Sequence, residues 1–178
     1  MPPPATVVTT ADLAAADLAA VRALMDAAFD DFSDDDWAHA LGGWHALIRE
    51  QGVVVAHGSV VARWISIGDR EFRAGYVEAV GVAPRRQRQG LGTAVTTALC
   101  QTIRTEFEIG VLSSGEWGFY ERLGWERWRG PTFVRGADGS MTRTPDDDDG
   151  VMVLRVGPMP AIDPTAPIAC DARSGDAW

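Results

Sequence analysis

Lysine is absent from this 178-residue chain, and all sixteen basic residues are arginine. With no lysine there is no ε-amine to form a Schiff base and no lysine general base, so those routes of covalent and proton-transfer chemistry are closed. Cysteine is nearly absent. Cys100 and Cys170 stand far apart with no paired metal-ligand spacing. They allow one disulfide or two reduced thiols, and reduced thiols in a cytoplasmic protein are the simpler reading. The three histidines, His39, His45 and His57, form no HExxH pattern and no dense ligand cluster. They are expected to be structural or exposed, and no metal is expected. Ser113 to Gly115 lacks the GxSxG context of a serine hydrolase. No apolar run approaches the roughly 18 residues of a membrane span. The opening MPPPATVV has neither the basic region nor the apolar segment of a secretory signal. A cytoplasmic protein that does not engage membrane is therefore expected.

Positive charge is also scarce. Twenty-five acidic residues face sixteen basic ones, a formal net charge of -9. That balance repels a phosphate backbone, which argues against nucleic acid, and it favours cationic partners. What is present is ordinary for a globular protein: 46% hydrophobic and 23% charged residues. The length suits one domain, so residues 1–178 are read as a single catalytic unit.

A short strand is expected over Ala5 to Thr10, then a helix from near Asp12 whose Leu13, Leu18, Val21, Leu24, Met25 and Ala28 recur at helical spacing. A second short helix follows Ser33, with Asp36 completing a box-like start signal. WHALIRE and VVVAHGSVVARWISI read as strands separated by Gln51-Gly52, and Gly68-Asp69 turns the chain into EFRAGYVEAVGV. TAVTTALCQTIR has helical spacing. Ile109 to Leu112 suits a strand, followed by a short helix through Tyr120 to Leu123 that Gly124 ends in a left-handed conformation. Trp125 opens a late strand region, and VMVLRV is another strand. The stretch PTFVRGADGSMTRTPDDDDG reads as a long loop belonging to a substrate pocket. Of the seven tryptophans, Trp44, Trp64 and Trp125 are assigned to the core, and Trp37, Trp117 and Trp128 to a pocket rim.

The strongest constellation is VEAVGVAPRRQRQGLGTAV, Val77 to Val95. A strand enters a glycine-bearing loop and then a helix, so successive backbone N–H groups converge where an anion, above all a pyrophosphate, would sit. Arg85, Arg86 and Arg88 are candidate phosphate contacts. A dinucleotide fold suits this loop poorly, because that fingerprint belongs to a parallel strand-helix-strand unit and the upstream strands read as an antiparallel meander.

Gln87-Arg88-Gln89-Gly90-Leu91-Gly92, preceded by Val80-Gly81-Val82, resembles the coenzyme A loop of the GNAT acyltransferase superfamily. The resemblance implies a single-domain α/β fold with a mixed, mostly antiparallel central sheet flanked by helices. It also implies acetyl-coenzyme A as acetyl donor and coenzyme A as product. Val80, Gly81 and Val82 would then meet the pantetheine arm, and Gln87, Arg88, Gln89, Gly90, Leu91 and Gly92 would surround the pyrophosphate. LSSGEWGFYERLGWERW is similar to the segment in which a tyrosine protonates the departing thiolate, which places Tyr120 there. Tyr120 read alone is equally a core aromatic over Leu123 and Trp125.

DFSDDDWAHALGGWHALI, GYVEAVGV, LSSG, WRGPTFV, TRTPDDDDG and CDARSGDAW extend the resemblance across nearly the whole chain to the aminoglycoside 2′-N-acetyltransferases. The implied activity is acetylation of a 2′-amine by direct attack, with Glu78 as a remote general base working through water and a main-chain donor near Val80 holding the oxyanion. The implied acceptor site is Asp31, Asp36, Glu78, Ala79, Ser113, Asp146, Asp147, Asp176 and Trp178 with its carboxylate. The register within DDDD leaves Asp148 in reserve. A homodimer is implied as well. The residues read alone leave open that Glu78 faces solvent on its strand, that the acidic clusters are solvated loops, and that Asp36 caps the helix after Ser33. A GNAT enzyme for a polyamine or peptide amine, and a noncatalytic acyl-coenzyme A sensor, are the competing readings.

Overall fold

The computed structural model describes residues 2–158 and 161–178. The chain forms two compact units, one built from the residues up to Val61 with Val77–Thr102, the other from Ala62–Tyr76 with the residues from Ile103 onward. Strands β3 (Val53–Ile67) and β4 (Arg70–Val82) and helix α3 (Leu91–Glu106) contribute residues to both.

In the first unit, β1 (Thr6–Thr9) pairs antiparallel with β2 (Trp44–Glu50), which pairs antiparallel with β3. Gln51 and Gly52 take φ of 50° and 82°. Two consecutive left-handed residues make the tight turn whose twist matches a hairpin, and this sets the β2–β3 register. The apolar face of α1 (Ala15–Ala28) places Val21, Leu24 and Met25 against Leu13, Leu47 and Val54. The helix begins later than expected. Asp12 sits instead in a 3₁₀ turn, Thr10–Asp12, where its carboxylate accepts from Thr9 Oγ1 at 2.6 Å. Helix α2 (Asp34–His39) starts as the sequence indicates: Ser33 Oγ accepts from the Asp36 amide, and Asp36 Oδ2 accepts from the Ser33 amide. Gly58 lets β3 lie close on α3, since a Cβ there would fall 2.8 Å from Leu99 Cδ1 and 3.0 Å from Val95 Cγ1.

In the second unit, β5 (Ile109–Ser113) runs parallel to β4 through Ala74↔Ile109 and antiparallel to β9 (Val151–Arg155). The two-residue β6 (Glu126–Arg127) adds to β9. Helix α4 (Trp117–Glu121) is followed by Gly124 at φ 91°, as expected. Among the described residues these pairs are antiparallel except for β4–β5.

Residues 131–150 are not the long loop that the sequence indicates. They form β7 (Thr132–Arg135), β8 (Met141–Arg143) and a 3₁₀ turn, Pro145–Asp147. A strand without a sequence signal, β10 (Ile168–Asp171), pairs parallel with β7 and antiparallel with β3. Strands of three or four residues are too short for alternation to register, and those of β10 follow Pro164 and Pro167, which read as loop. Two tryptophans are also corrected. Trp64, assigned to the core, is 52% exposed, whereas Trp128, assigned to a pocket rim, is buried with its indole N–H donating to the Ala166 carbonyl at 2.9 Å. Both cysteines are free thiols and buried. Among the described residues, no helix is long and apolar enough to cross a membrane, and no group of acids, histidines and cysteines is arranged to hold a metal.

Candidate active site

The candidate residues fall into two groups, one in each unit. In the first unit, β4 ends at Val82, a 3₁₀ turn at Pro84–Arg86 follows, and α3 begins at Leu91. Arg88 and Gly90 have φ of 59° and 83°, so the loop turns sharply before the helix. The first intrahelical bond is Ala94 N–H to the Gly90 carbonyl at 3.0 Å. The amides of Leu91, Gly92 and Thr93 precede it and have no carbonyl one turn back in the helix, so they suit an anion. Gln87 and Gln89 brace the loop by donating to the carbonyls of Val82 and Arg85. Arg85 and Arg88 are exposed, but Arg86 is bound to Glu50 at 2.5 Å. Of the three arginines, Arg86 therefore already has a structural job.

Upstream of the loop, β4 is distorted. Ala79 takes φ 49°, a left-handed conformation that costs a non-glycine residue of order 1 kcal/mol and persists only where the surroundings hold it. Two side chains of β3 do so. Ser59 Oγ donates to the Glu78 carbonyl at 3.3 Å, and His57 Nδ1 lies 2.9 Å from the Ala79 carbonyl. Both are fully buried, and they share one face of β3 as residues i and i+2. Glu78, Ala79 and Val80 are half-buried. His57 continues to His45 at 2.9 Å and His45 to Thr10 Oγ1 at 2.7 Å. Burial pushes His45 down to about 4 and His57 down to about 3, so both rings are neutral at pH 7. Of the two expectations for these histidines, structural or exposed, burial selects the first, and their bonded line is what the sequence did not announce. The hairpin register Leu47↔His57, set by the Gln51-Gly52 turn, contained the signal. Asp31 is exposed, and the Asp36 carboxylate is occupied by its cap.

In the second unit, Tyr120 is buried and meets Phe119 and Trp125 edge-on with ring centroids 4.9 and 6.1 Å away. Its ring is thus a core aromatic, whatever its hydroxyl does. Ser113, at the end of β5, lies against the acidic turn: a Cβ on Gly150 would come 2.7 Å from Ser113 Oγ. Within DDDD the four aspartates have different jobs. Asp148 accepts from Arg143, from the Thr132 amide and from Thr132 Oγ1, and its carboxyl is held down to about 2, chiefly by Arg143. Asp149 faces Arg127 at 3.8 Å. The Asp147 carboxyl is pushed up, first by desolvation and then by repulsion from Asp176, Asp146 and Asp148. The fold thus brings Asp146 and Asp176 close enough to repel Asp147, a field that stabilises a cation placed beside it.

The chain's last residues are anchored by Arg63, which the sequence reading passed over. Arg63 donates to the carbonyls of Ala177 at 2.7 Å and Asp171 at 2.9 Å, and its guanidinium lies 4.6 Å from the centre of the Tyr76 ring. Cys170 Sγ donates to the Ala177 carbonyl at 3.3 Å. Trp178 is consequently buried to 8% exposure.

Residues 10–128 match the acetyltransferase (GNAT) domain family. The chain is 46% identical over 180 residues, 98% of its own length and 91% of the relative's, to an aminoglycoside 2′-N-acetyltransferase of Mycolicibacterium fortuitum. Among solved structures, the GNAT N-acetyltransferase YhbS of Escherichia coli, in complex with CoA, superposes with a TM-score of 0.63 at 16% identity, over 94% of this chain and 89% of that one. A GNAT family acetyltransferase from Brucella melitensis, in complex with acetyl-CoA, gives 0.60 at 22% identity over 89% and 93%. A GCN5-related N-acetyltransferase from Kribbella flavida superposes with a TM-score of 0.59 at 20% identity, over 71% of this chain and 34% of that longer one. These likenesses establish a GNAT fold with a mixed central sheet flanked by helices, and the chain belongs to the GNAT acetyltransferases, in the branch of the aminoglycoside 2′-N-acetyltransferases.

Proposed function

We propose that this protein transfers the acetyl group of acetyl-coenzyme A to the 2′-amine of an aminoglycoside by direct attack, without a covalent acyl-enzyme. The observation that carries the reading is identity of 46% along 98% of the chain to an enzyme of that name. The loop Gln87 to Gly92 and the leading amides of α3 suit the pyrophosphate of coenzyme A. Glu78 accepts a proton from the substrate ammonium through water and so frees the nitrogen lone pair. The amine attacks the thioester carbonyl carbon, the negative charge on oxygen is met by the Val80 amide, the C–S bond breaks, and Tyr120 O–H protonates the thiolate. The acceptor-binding residues of this reading are Asp31, Asp36, Glu78 and Ala79 in the first unit and Ser113, Asp146, Asp147, Asp176 and Trp178 in the second. The polycationic acceptor relieves the repulsion around Asp147. Acetylation turns an ammonium into a neutral amide, which is how such an enzyme confers antibiotic resistance. One catalytic domain, a homodimer and a cytoplasmic location complete the reading.

The aspartate register is separable by substitution. Asp147→Asn is expected to raise the aminoglycoside KM about tenfold or more, the size of one charge-assisted contact, with unfolding unchanged. Asp148→Asn is expected to lower the melting temperature instead, because it strands Arg143 and Thr132. Steady-state kinetics and thermal melts on both variants check the assignment, and equal KM effects would undo it.

The activity itself is tested by coenzyme A release with two aminoglycosides that differ only in a 2′-amine or a 2′-hydroxyl, the acetylated position being located by NMR. Turnover confined to the 2′-amine compound is expected. Acetylation elsewhere refutes the regiochemistry, and coenzyme A binding without turnover refutes the acceptor class.

A further inference from the structure

We infer that His57, backed by His45 and Thr10, is a positioning residue that aims and strengthens the Val80 amide as the thioester oxyanion donor, by holding the carbonyl on the other edge of the Ala79–Val80 peptide plane. The inference rests on the acetyl-transfer reading above and adds to it three residues that are not among its substrate contacts, the first of them bonded to the Ala79 carbonyl.

Acceptor and donor counting gives the chain a direction. The Ala79 carbonyl only accepts, so His57 Nδ1, 2.9 Å away, carries the hydrogen. In a neutral ring Nε2 is then an acceptor, and it takes the hydrogen of His45 Nδ1 at 2.9 Å. His45 Nε2 is in turn an acceptor, filled by the hydroxyl of Thr10 at 2.7 Å in preference to that hydroxyl's 3.2 Å contact with the Gly43 carbonyl. Thr10 Oγ1 itself accepts from the Gly42 amide at 2.9 Å. Every hydrogen therefore points towards Ala79. Chains of this kind polarise one another, by about 10–30% per bond in condensed phase.

The receiving peptide transmits that polarisation. In a trans peptide the C=O and the following N–H are coplanar and antiparallel. A donor fixed on the Ala79 oxygen draws electron density from the Val80 nitrogen, makes its N–H a better donor, and fixes the direction in which it points. Ala79 at φ 49° is where such control is needed, since a left-handed residue inside a strand is held by its partners and not by the ladder. Ser59, on the Glu78 carbonyl, grips the preceding peptide in the same way. A simple core-filling role does not call for two buried histidines in line, because apolar side chains fill volume without the cost of desolvating imidazole.

Infrared spectroscopy of bound acetyl-coenzyme A, 13C-labelled at the carbonyl, reads the donor directly and needs no acceptor substrate. The carbonyl band is expected to shift to lower frequency on binding, to move back towards its free position in His57→Leu, and to recover in His57→Asn, whose side-chain amide can present an N–H near the place of Nδ1. The kcat for acetyl transfer should fall ten- to a hundredfold in His57→Leu, a fraction of the loss on deleting an oxyanion donor, while coenzyme A affinity changes less than threefold. An unchanged carbonyl band and kcat in a folded His57→Leu overturn the inference, as does an equal loss of coenzyme A affinity. If His57→Leu does not fold, Thr10→Val, at the far end of the chain, should still show a smaller band shift of the same sign. Nitrogen NMR of the wild-type imidazoles should show hydrogen on Nδ1 of both rings, and hydrogen on Nε2 of His57 overturns the inference. Absence of aminoglycoside turnover by the wild type would count against the functional reading alone.

Discussion

Glu78→Gln is expected to lower kcat for aminoglycoside acetylation by about 10² to 10⁴, the range measured for removal of a general base. Glutamine keeps the size and polarity of the side chain but takes up no proton. The substrate amine then stays an ammonium, with no lone pair to attack the thioester. The geometry favours an effect on chemistry over one on folding. Glu78 is half-buried, and its backbone carbonyl is held by Ser59 independently of the carboxylate. KM for acetyl-coenzyme A should therefore move little, because the pyrophosphate loop is untouched. Steady-state kinetics across pH, with a thermal melt as control, make the check. The variant should regain activity as pH rises and the amine deprotonates unaided. A variant retaining more than about a tenth of wild-type kcat at neutral pH would remove Glu78 from the mechanism.

The second large effect is acid lability from the two buried histidines. Their pKa values fall from 6.5 to about 4 for His45 and about 3 for His57, first because burial penalises the charged ring. The unfolded chain therefore binds more protons than the folded one below pH 6.5, and stability falls as pH falls. The loss begins near pH 6.5 and saturates only once the folded-state rings protonate, near pH 4 to 3. Each histidine contributes about 1.4 kcal/mol per pH unit in that window, so the pair removes about 4 kcal/mol between pH 7 and pH 5. Against a typical total of about 5–15 kcal/mol that is a large share. Asp148, held down to about 2, withdraws its contribution only as pH falls from the ordinary carboxylate value of 3.8 to about 2, below the pH 7 to 5 range in which the histidines act. Urea unfolding at pH 7, 6 and 5 checks the slope. A double variant, His45→Gln with His57→Gln, should flatten it, and an unchanged slope in that variant would assign the lability to other groups.

Residues close together in the chain announced much of this site. The loop from Gln87 to Gly92 could be read because its parts are contiguous: strand, turn glycines and helix start follow one another, and each follows a local rule. The Ser33–Asp36 cap and the Gln51-Gly52 hairpin were legible for the same reason. The pairing of Arg86 with Glu50 could not be read, because Glu50 lies on β2, far from the loop in the chain. The aspartate register stayed open for a similar reason. Asp148 and Asp147 are chemically identical neighbours, and only the place of Arg143 and Thr132 makes one structural and leaves the other to repel Asp176.

Taken alone, the sequence carried the motifs on which the family resemblance rests: the glycine loop after a strand, and a tyrosine in the short helix before Gly124. Composition and contiguous spacing are carried by the chain whatever its shape. Tertiary structure decided what distant residues do to each other. It paired the short β10 with β7, anchored the chain's last residues on Arg63, and lined up Thr10, His45 and His57 behind the Ala79 carbonyl. Those outcomes depend on strand register and burial, which act between residues that the sequence keeps apart.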